Sequence, residues 1–187
     1  MGLIGKSDFV QLCLKNDDEL ADIFARGTTP EFAELVGYEF DGFNTMDLTQ
    51  LIGIRRFRKG FLAADETVGS QEIGGYNVTV RPGPPTAEWD IVYKKGKPHR
   101  HSPYRVYRAP AGDKEDKYPQ SLLINYDCPR NPVWNPGFLR DYLVKVTPTN
   151  PDLFLGKAYV ALGSLRVYVS YFVLLRAEKV DPATVWG

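Results

Sequence analysis

Two apolar runs, Leu153–Leu162 and residues 165–175, lie either side of Gly163-Ser164, and they constrain the chain more than any other stretch. Long runs of aliphatic and aromatic residues around a two-residue glycine turn predict an antiparallel hairpin. In the second run Leu165, Val167, Val169, Tyr171, Val173 and Leu175 share one face. Arg166, Tyr168, Ser170, Phe172, Leu174 and Arg176 take the other. A strand this long can run the height of a barrel.

The first run is apolar on both faces, with Phe154, Gly156, Ala158 and Val160 opposite Leu155, Lys157, Tyr159 and Ala161. Lys157 is the exception. If its face points inward, an ammonium and the Tyr159 phenol enter an apolar interior, where the charge must be paired or must hold an anion. If the face points outward, Lys157 is a solubilising residue.

Upstream segments read as further strands of the same sheet. In residues 121–127, Leu123, Asn125 and Asp127 oppose Leu122, Ile124 and Tyr126. Residues 35–43 alternate Tyr38 and Phe40 with Glu39 and Asp41, and Tyr76-Asn77-Val78-Thr79-Val80 alternates again. Residues 88–93 and 104–108 flank the polar loop at 94–98 as two more strands. Residues 138–146 fit a short helix or a strand, with Tyr142, Val144 and Val146 favouring a strand. Gly37, Gly42 and Gly156 supply the bends of a small barrel. The proline-rich corner at 128–137 carries Trp134, which either plugs a barrel end or lines a ligand mouth.

Helical signals are few. Asp17-Asp18-Glu19 opens an amphipathic turn containing Leu20, Ile23 and Phe24 that ends at Arg26-Gly27. Leu48, Leu51, Ile52 and Ile54 suggest a second short helix. The basic run at 55–61 reads as the solvated end of that helix, with an anion-binding cluster as the alternative. Residues 1–7 read as a lead-in: Gly5-Lys6-Ser7 lacks the rest of a phosphate loop, and Lys6 breaks the myristoylation pattern.

About eight strands with little helix and no strand–helix alternation predict a mainly β chain, an antiparallel up-and-down barrel, with a sandwich as the alternative. We expect a single domain over 1–187, with a helical lead-in at 1–30, the barrel at 32–176 and a tail at 177–187. Lys+Arg 23 balances Asp+Glu 23, so nucleic acid is not an expected partner. Cys13 and Cys128 form neither a metal spacing nor a disulfide framework, which together with the lack of a signal peptide or apolar span implies a cytoplasmic setting. His99 and His101 would share a strand face as a metal pair, but Pro98 and Pro103 make a surface loop the reading preferred, and no metal or cofactor is expected. Asn77-Val78-Thr79 matches a glycosylation sequon, yet reads as strand.

The run Gly27-Thr28-Thr29-Pro30, the stretch from Leu35 to Gly42, Leu123-Ile124-Asn125-Tyr126-Asp127 and Leu153-Phe154-Leu155-Gly156-Lys157-Ala158 together resemble bacterial calycin-like β-barrel proteins, relatives in shape of lipocalins and fatty-acid-binding proteins. The resemblance implies a barrel around an apolar cavity. In outline the chain also resembles the heme-binding nitrobindin barrels, but no His follows His101, so a late-strand heme ligand is missing.

The expected function is binding of a hydrophobic or amphipathic small molecule, with Lys157, Tyr159, Tyr126, Asn125, Tyr171 and Trp134 as candidate ligand-binding residues. The alternatives are an isomerase, cyclase or hydrolase using Lys157, a tyrosine or Asp127, and an interaction module with a filled core. A filled interior favours the module. A buried lysine of lowered pKa or a carboxyl of raised pKa favours the enzyme. An apolar cavity with one polar end and no perturbed titratable group favours the carrier.

Overall fold

The computed structural model describes residues 3–46, 55–63, 71–128, 131 and 137–185. Its centre is a closed barrel of eight antiparallel strands, in which each strand hydrogen-bonds to its neighbours along the chain and the first pairs with the last. The barrel strands are β1 (Tyr38–Asn44), β2 (Arg56–Leu62), β3 (Glu72–Thr79), β6 (Arg100–Tyr107), β7 (Leu122–Asn125), β8 (Leu139–Lys145), β9 (Leu153–Leu162) and β10 (Leu165–Lys179). A two-stranded flap of β4 (Tyr93–Lys94) and β5 (Lys97–Pro98) sits between β3 and β6 in sequence. The up-and-down barrel expected from the alternating runs is therefore the fold, and the sandwich is not.

The organising hairpin forms as read, with Leu165 opposite Leu162 and Leu174 opposite Phe154. Its second strand departs from simple alternation at a register shift between Tyr168 and Ser170. An extra residue there lets Tyr168 and Tyr171 both pack against the outer cluster, while Ser170 and Phe172 turn inward. Residues 138–146 resolve to strand. The basic run at 55–61 is not a helix end but β2, and the helix expected near 46–54 lies almost wholly outside the described residues.

The barrel has a filled end and an open end. Phe40, Phe61, Val106, Leu122, Leu143, Phe154 and Leu174 pack inside the filled end with α3 (Phe32–Leu35), whose Leu35 is fully buried. Edge-to-face contacts run from Phe154 through Phe40 and Phe61 to Tyr104 and Tyr126, with centroids 5.2–5.8 Å apart. Gly37, at a φ of +79°, turns the chain from α3 into β1, a conformation that side-chain-bearing residues rarely take.

Two further helices cover one outer wall. In α2 (Asp17–Arg26) Asn16 and Glu19 form a reciprocal capping box, which satisfies two otherwise unpaired backbone donors. Residues 3–7 of the expected lead-in begin a helix, α1 (Leu3–Cys13), whose Phe9, Leu12 and Cys13 recur at helical spacing. These residues, with Leu20 and Phe24, bury Leu155, Tyr171, Val173 and Leu175 on the barrel exterior.

Inside the barrel the Phe172 ring lies directly over Gly156, its cross-strand neighbour, where a Cβ would collide with it. Gly156→Ala is therefore expected to lower the unfolding free energy by about 1–3 kcal/mol through overpacking. Urea denaturation at neutral pH measures it. A loss below about 0.5 kcal/mol would show that the ring moves aside freely.

Candidate functional site

Above the filled end the barrel interior opens into a cavity of about 620 Å³. Its lower wall is aromatic and aliphatic, with Phe57, Phe172, Leu139, Ala158 and Val169, and its rim carries Thr79, Lys94, His99 and His101. The floor is polar. β2 contributes Lys59, β3 Asn77 and β8 Asp141, and Tyr126 follows the last residue of β7.

The Lys59 ammonium is fully coordinated. It lies 3.2 Å from Asp141 Oδ2, donates to Asn77 Oδ1 at 3.2 Å, and donates its third hydrogen bond to the Tyr126 hydroxyl. Tyr126 in turn donates toward Asp141 Oδ2 at 3.4 Å. Four rings surround the ammonium, with Tyr104 and Tyr126 centroids at 5.0 Å, Phe57 at 5.3 Å and Phe172 at 5.4 Å. Burial pushes the Lys59 pKa down, against the opposing pull of Asp141. Burial likewise pushes the Asp141 carboxyl up, against the pull of Lys59 and Tyr126. Both shifts run toward the uncharged forms, while the contact between the two groups opposes them.

His101 reaches the cavity through a defect in the sheet. The β3–β6 register shifts between Gly75 and Asn77, and Ser102 takes a φ of +50° there. This bulge places His101 opposite Asn77 on the inward face, correcting the expected surface loop. Burial, and then the nearby His99, Lys59 and Lys94 charges, push its pKa down to about 4, so it is neutral near pH 7. His99 stacks on it with centroids 5.3 Å apart and bridges Thr79 at 2.7 Å and Lys94 at 3.0 Å. Among the described residues no three His, Cys, Asp or Glu side chains converge as a metal-ligand set.

Of the candidate ligand-binding residues among those described, only Tyr126 lines this cavity. Lys157, Tyr159 and Tyr171 lie on the outer wall, because the β9 face that packs inward is that of Phe154, Gly156 and Ala158. There the Lys157 ammonium sits among Tyr171 (5.0 Å), Tyr118 (5.5 Å), Tyr168 (5.5 Å) and Tyr159 (5.9 Å), beside the N-terminal helices. Asn125 also faces outward and donates to the Tyr107 hydroxyl at 2.8 Å. Asp127, the alternative acid, is exposed 3.8 Å from Arg140. Trp134 lies outside the described residues.

In the sequence Asp141 and Asn77 do not stand out as site residues; Lys59 reads only as part of the basic run at 55–61, with anion binding as the alternative, and His101 only as half of a metal pair or as surface loop. Phe57, Lys59 and Phe61 do alternate with Arg56, Arg58 and Gly60, and Leu139, Asp141 and Leu143 share one face of their segment. Both are strand signals, masked in the first case by a density of cations that suggested solvent. On the other face Arg58 pairs with Asp41 at 2.7 Å and with Glu39 at 3.4 Å, whereas Arg56 donates to the Ala87 carbonyl at 3.1 Å and lies over the Trp89 ring.

No protein-family model matches the chain, and no curated protein matches it. No helix among the described residues is long and apolar enough to cross a membrane.

Proposed function

We propose that this chain binds an amphipathic small molecule inside the barrel, with the apolar body against Phe57, Phe172, Leu139 and Val169 and the polar end at Lys59, Asp141, Asn77 and Tyr126. The observation that carries this reading is a cavity of about 620 Å³ whose deepest groups are polar, mutually bonded and enclosed by aromatic rings. That combination of an apolar wall and a few convergent polar groups is the usual form of a small-molecule site. The interior is too open for a filled-core module. A calycin-like membership fits the same barrel and is part of the proposal. Free Cys13 and Cys128 support a cytoplasmic setting, and the balanced charge supports a small-molecule rather than a nucleic-acid partner.

Native mass spectrometry of protein purified from its host, followed by denaturing extraction, tests the reading. A stoichiometric small molecule supports it. An empty protein that also leaves an apolar fluorescent probe unbound contradicts it. Val169→Trp fills the cavity from its wall, and is expected to weaken probe binding about tenfold or more while leaving the barrel folded, as circular dichroism would report.

The Lys59–Asp141 pair favours a second reading, acid–base catalysis in the same cavity. Its members would act in the roles first expected of Lys157 and Asp127. Proton exchange at the ligand's α-carbon, followed by deuterium incorporation, separates catalysis from simple binding.

A further inference from the structure

We propose that Lys59 captures a carbonyl ligand, an aromatic or otherwise planar unsaturated aldehyde or ketone, as an iminium paired with Asp141. The inference rests on the cavity-binding reading and specifies the chemistry of its polar end. Lys59 lines the cavity, and its Nζ is held by Asn77, Tyr126 and Asp141, which line it too. Phe57 and Phe172 line the cavity beside the nitrogen and give an apolar aromatic wall for a flat conjugated body, while Tyr104 and Tyr126 enclose the nitrogen with them. An ion pair of this kind adds little stability over apolar residues of similar size, so its presence in a cavity calls for a use.

The proton accounting closes within the cluster. Lys59 passes a proton to Asp141 Oδ2, 3.2 Å away, which frees the nitrogen lone pair to attack the carbonyl carbon. The carbonyl oxygen takes one of the two protons left on nitrogen and becomes the hydroxyl of a carbinolamine. That hydroxyl takes a proton back from Asp141, directly or through the Tyr126 hydroxyl 3.4 Å from it, and leaves as water. One carbonyl and one ammonium become one iminium and one water. The positive charge stays at nitrogen, with the Asp141 carboxylate as counter-ion. The uncharged amine required for attack is favoured by burial of both partners.

The test uses the full chain, trans-cinnamaldehyde as the carbonyl probe, sodium cyanoborohydride to fix any iminium as a secondary amine, and cinnamyl alcohol as a probe of similar shape that cannot form one. Peptide mass mapping at pH 7.4 is expected to find a single adduct on Lys59, formed about tenfold or more faster than on any other lysine, because the neutral fraction of an ordinary lysine is only about 0.1% there. Asp141→Asn is expected to slow labelling. Lys59→Arg, and separately the paired change Lys59→Met with Asp141→Leu, are expected to abolish it, with circular dichroism reporting that the barrel stays folded. Binding of the alcohol without preferential labelling of Lys59 overturns the carbonyl inference and leaves the cavity reading standing. Failure of both probes to bind overturns both.

Discussion

Asp141→Ala is expected to destabilise the protein at pH 7 by about 3–5 kcal/mol, because it strands the buried Lys59 ammonium without an anion. Removal of one partner leaves an uncompensated charge, which is far worse than removal of both. The paired change Lys59→Met with Asp141→Leu is accordingly expected to lie within about 1–2 kcal/mol of the parent, or above it. Burial already holds the Lys59 pKa below its unfolded value in the parent, against the pull of Asp141, so loss of Asp141 is expected to widen that gap. The unfolded chain then binds more protons between those two values, so the deficit shrinks as pH rises through that interval. Urea denaturation at several pH values reads both effects. A loss below about 1 kcal/mol at pH 7 would mean that water already solvates the floor of the cavity.

Acidification supplies the second large effect. His101 is held neutral in the folded barrel down to about pH 4, whereas in the unfolded chain it titrates near its ordinary value of 6.5. Between those values the unfolded state carries the extra proton. Stability therefore increases with pH, and it is lost as pH falls from 6.5 toward 4. Integrated over the window the contribution is about 2–3 kcal/mol, most of it above the range where the carboxylates titrate. His99 is also shifted down, by burial and by Lys94, and acts in the same direction. The difference in unfolding free energy between the parent and His101→Gln, followed from pH 7 to 4.5, isolates the His101 share. A difference that stays constant with pH would place the imidazole in contact with bulk water.

Both effects arise from positions that local pattern reading handles poorly. The barrel itself was legible: residues 165–175, 121–127 and 38–43 alternate on period two, and a sheet with that many such runs closes naturally. Its contents were less so. Alternation shows which residues share a face, but not which face is inside, and here both faces of β9 and β10 are buried, one by the interior and the other by α1 and α2. Hydrophobicity therefore could not place Lys157, and the side with the more conspicuous tyrosines proved to be the outer one. His101 was hidden for a different reason. A single extra residue at Ser102 inverts the order of faces, and no composition rule marks that spot. Lys59 was hidden by its neighbours, since four cations in the five residues 55–59 suggest solvent unless the acids that pair Arg58 (Asp41 and Glu39) and Lys59 (Asp141) are known to be near.

The pairing of β1 with β10 has a consequence for how the chain reaches this structure. Gly42 lies opposite Leu174 and Asn44 opposite Phe172, so the seam joins the beginning of the barrel to its end. During synthesis β1 leaves the ribosome with one edge unsatisfied, and its proper partner emerges only after nearly all the remaining strands. Contacts so distant in sequence form late and slowly. Until then the exposed edges of β1 and the most recent strand are templates for pairing with other chains. A release factor acting early, or a protease nicking within 165–179, would leave an unclosed sheet with two such edges. Its aggregation, rather than a merely weakened barrel, is the expected fate.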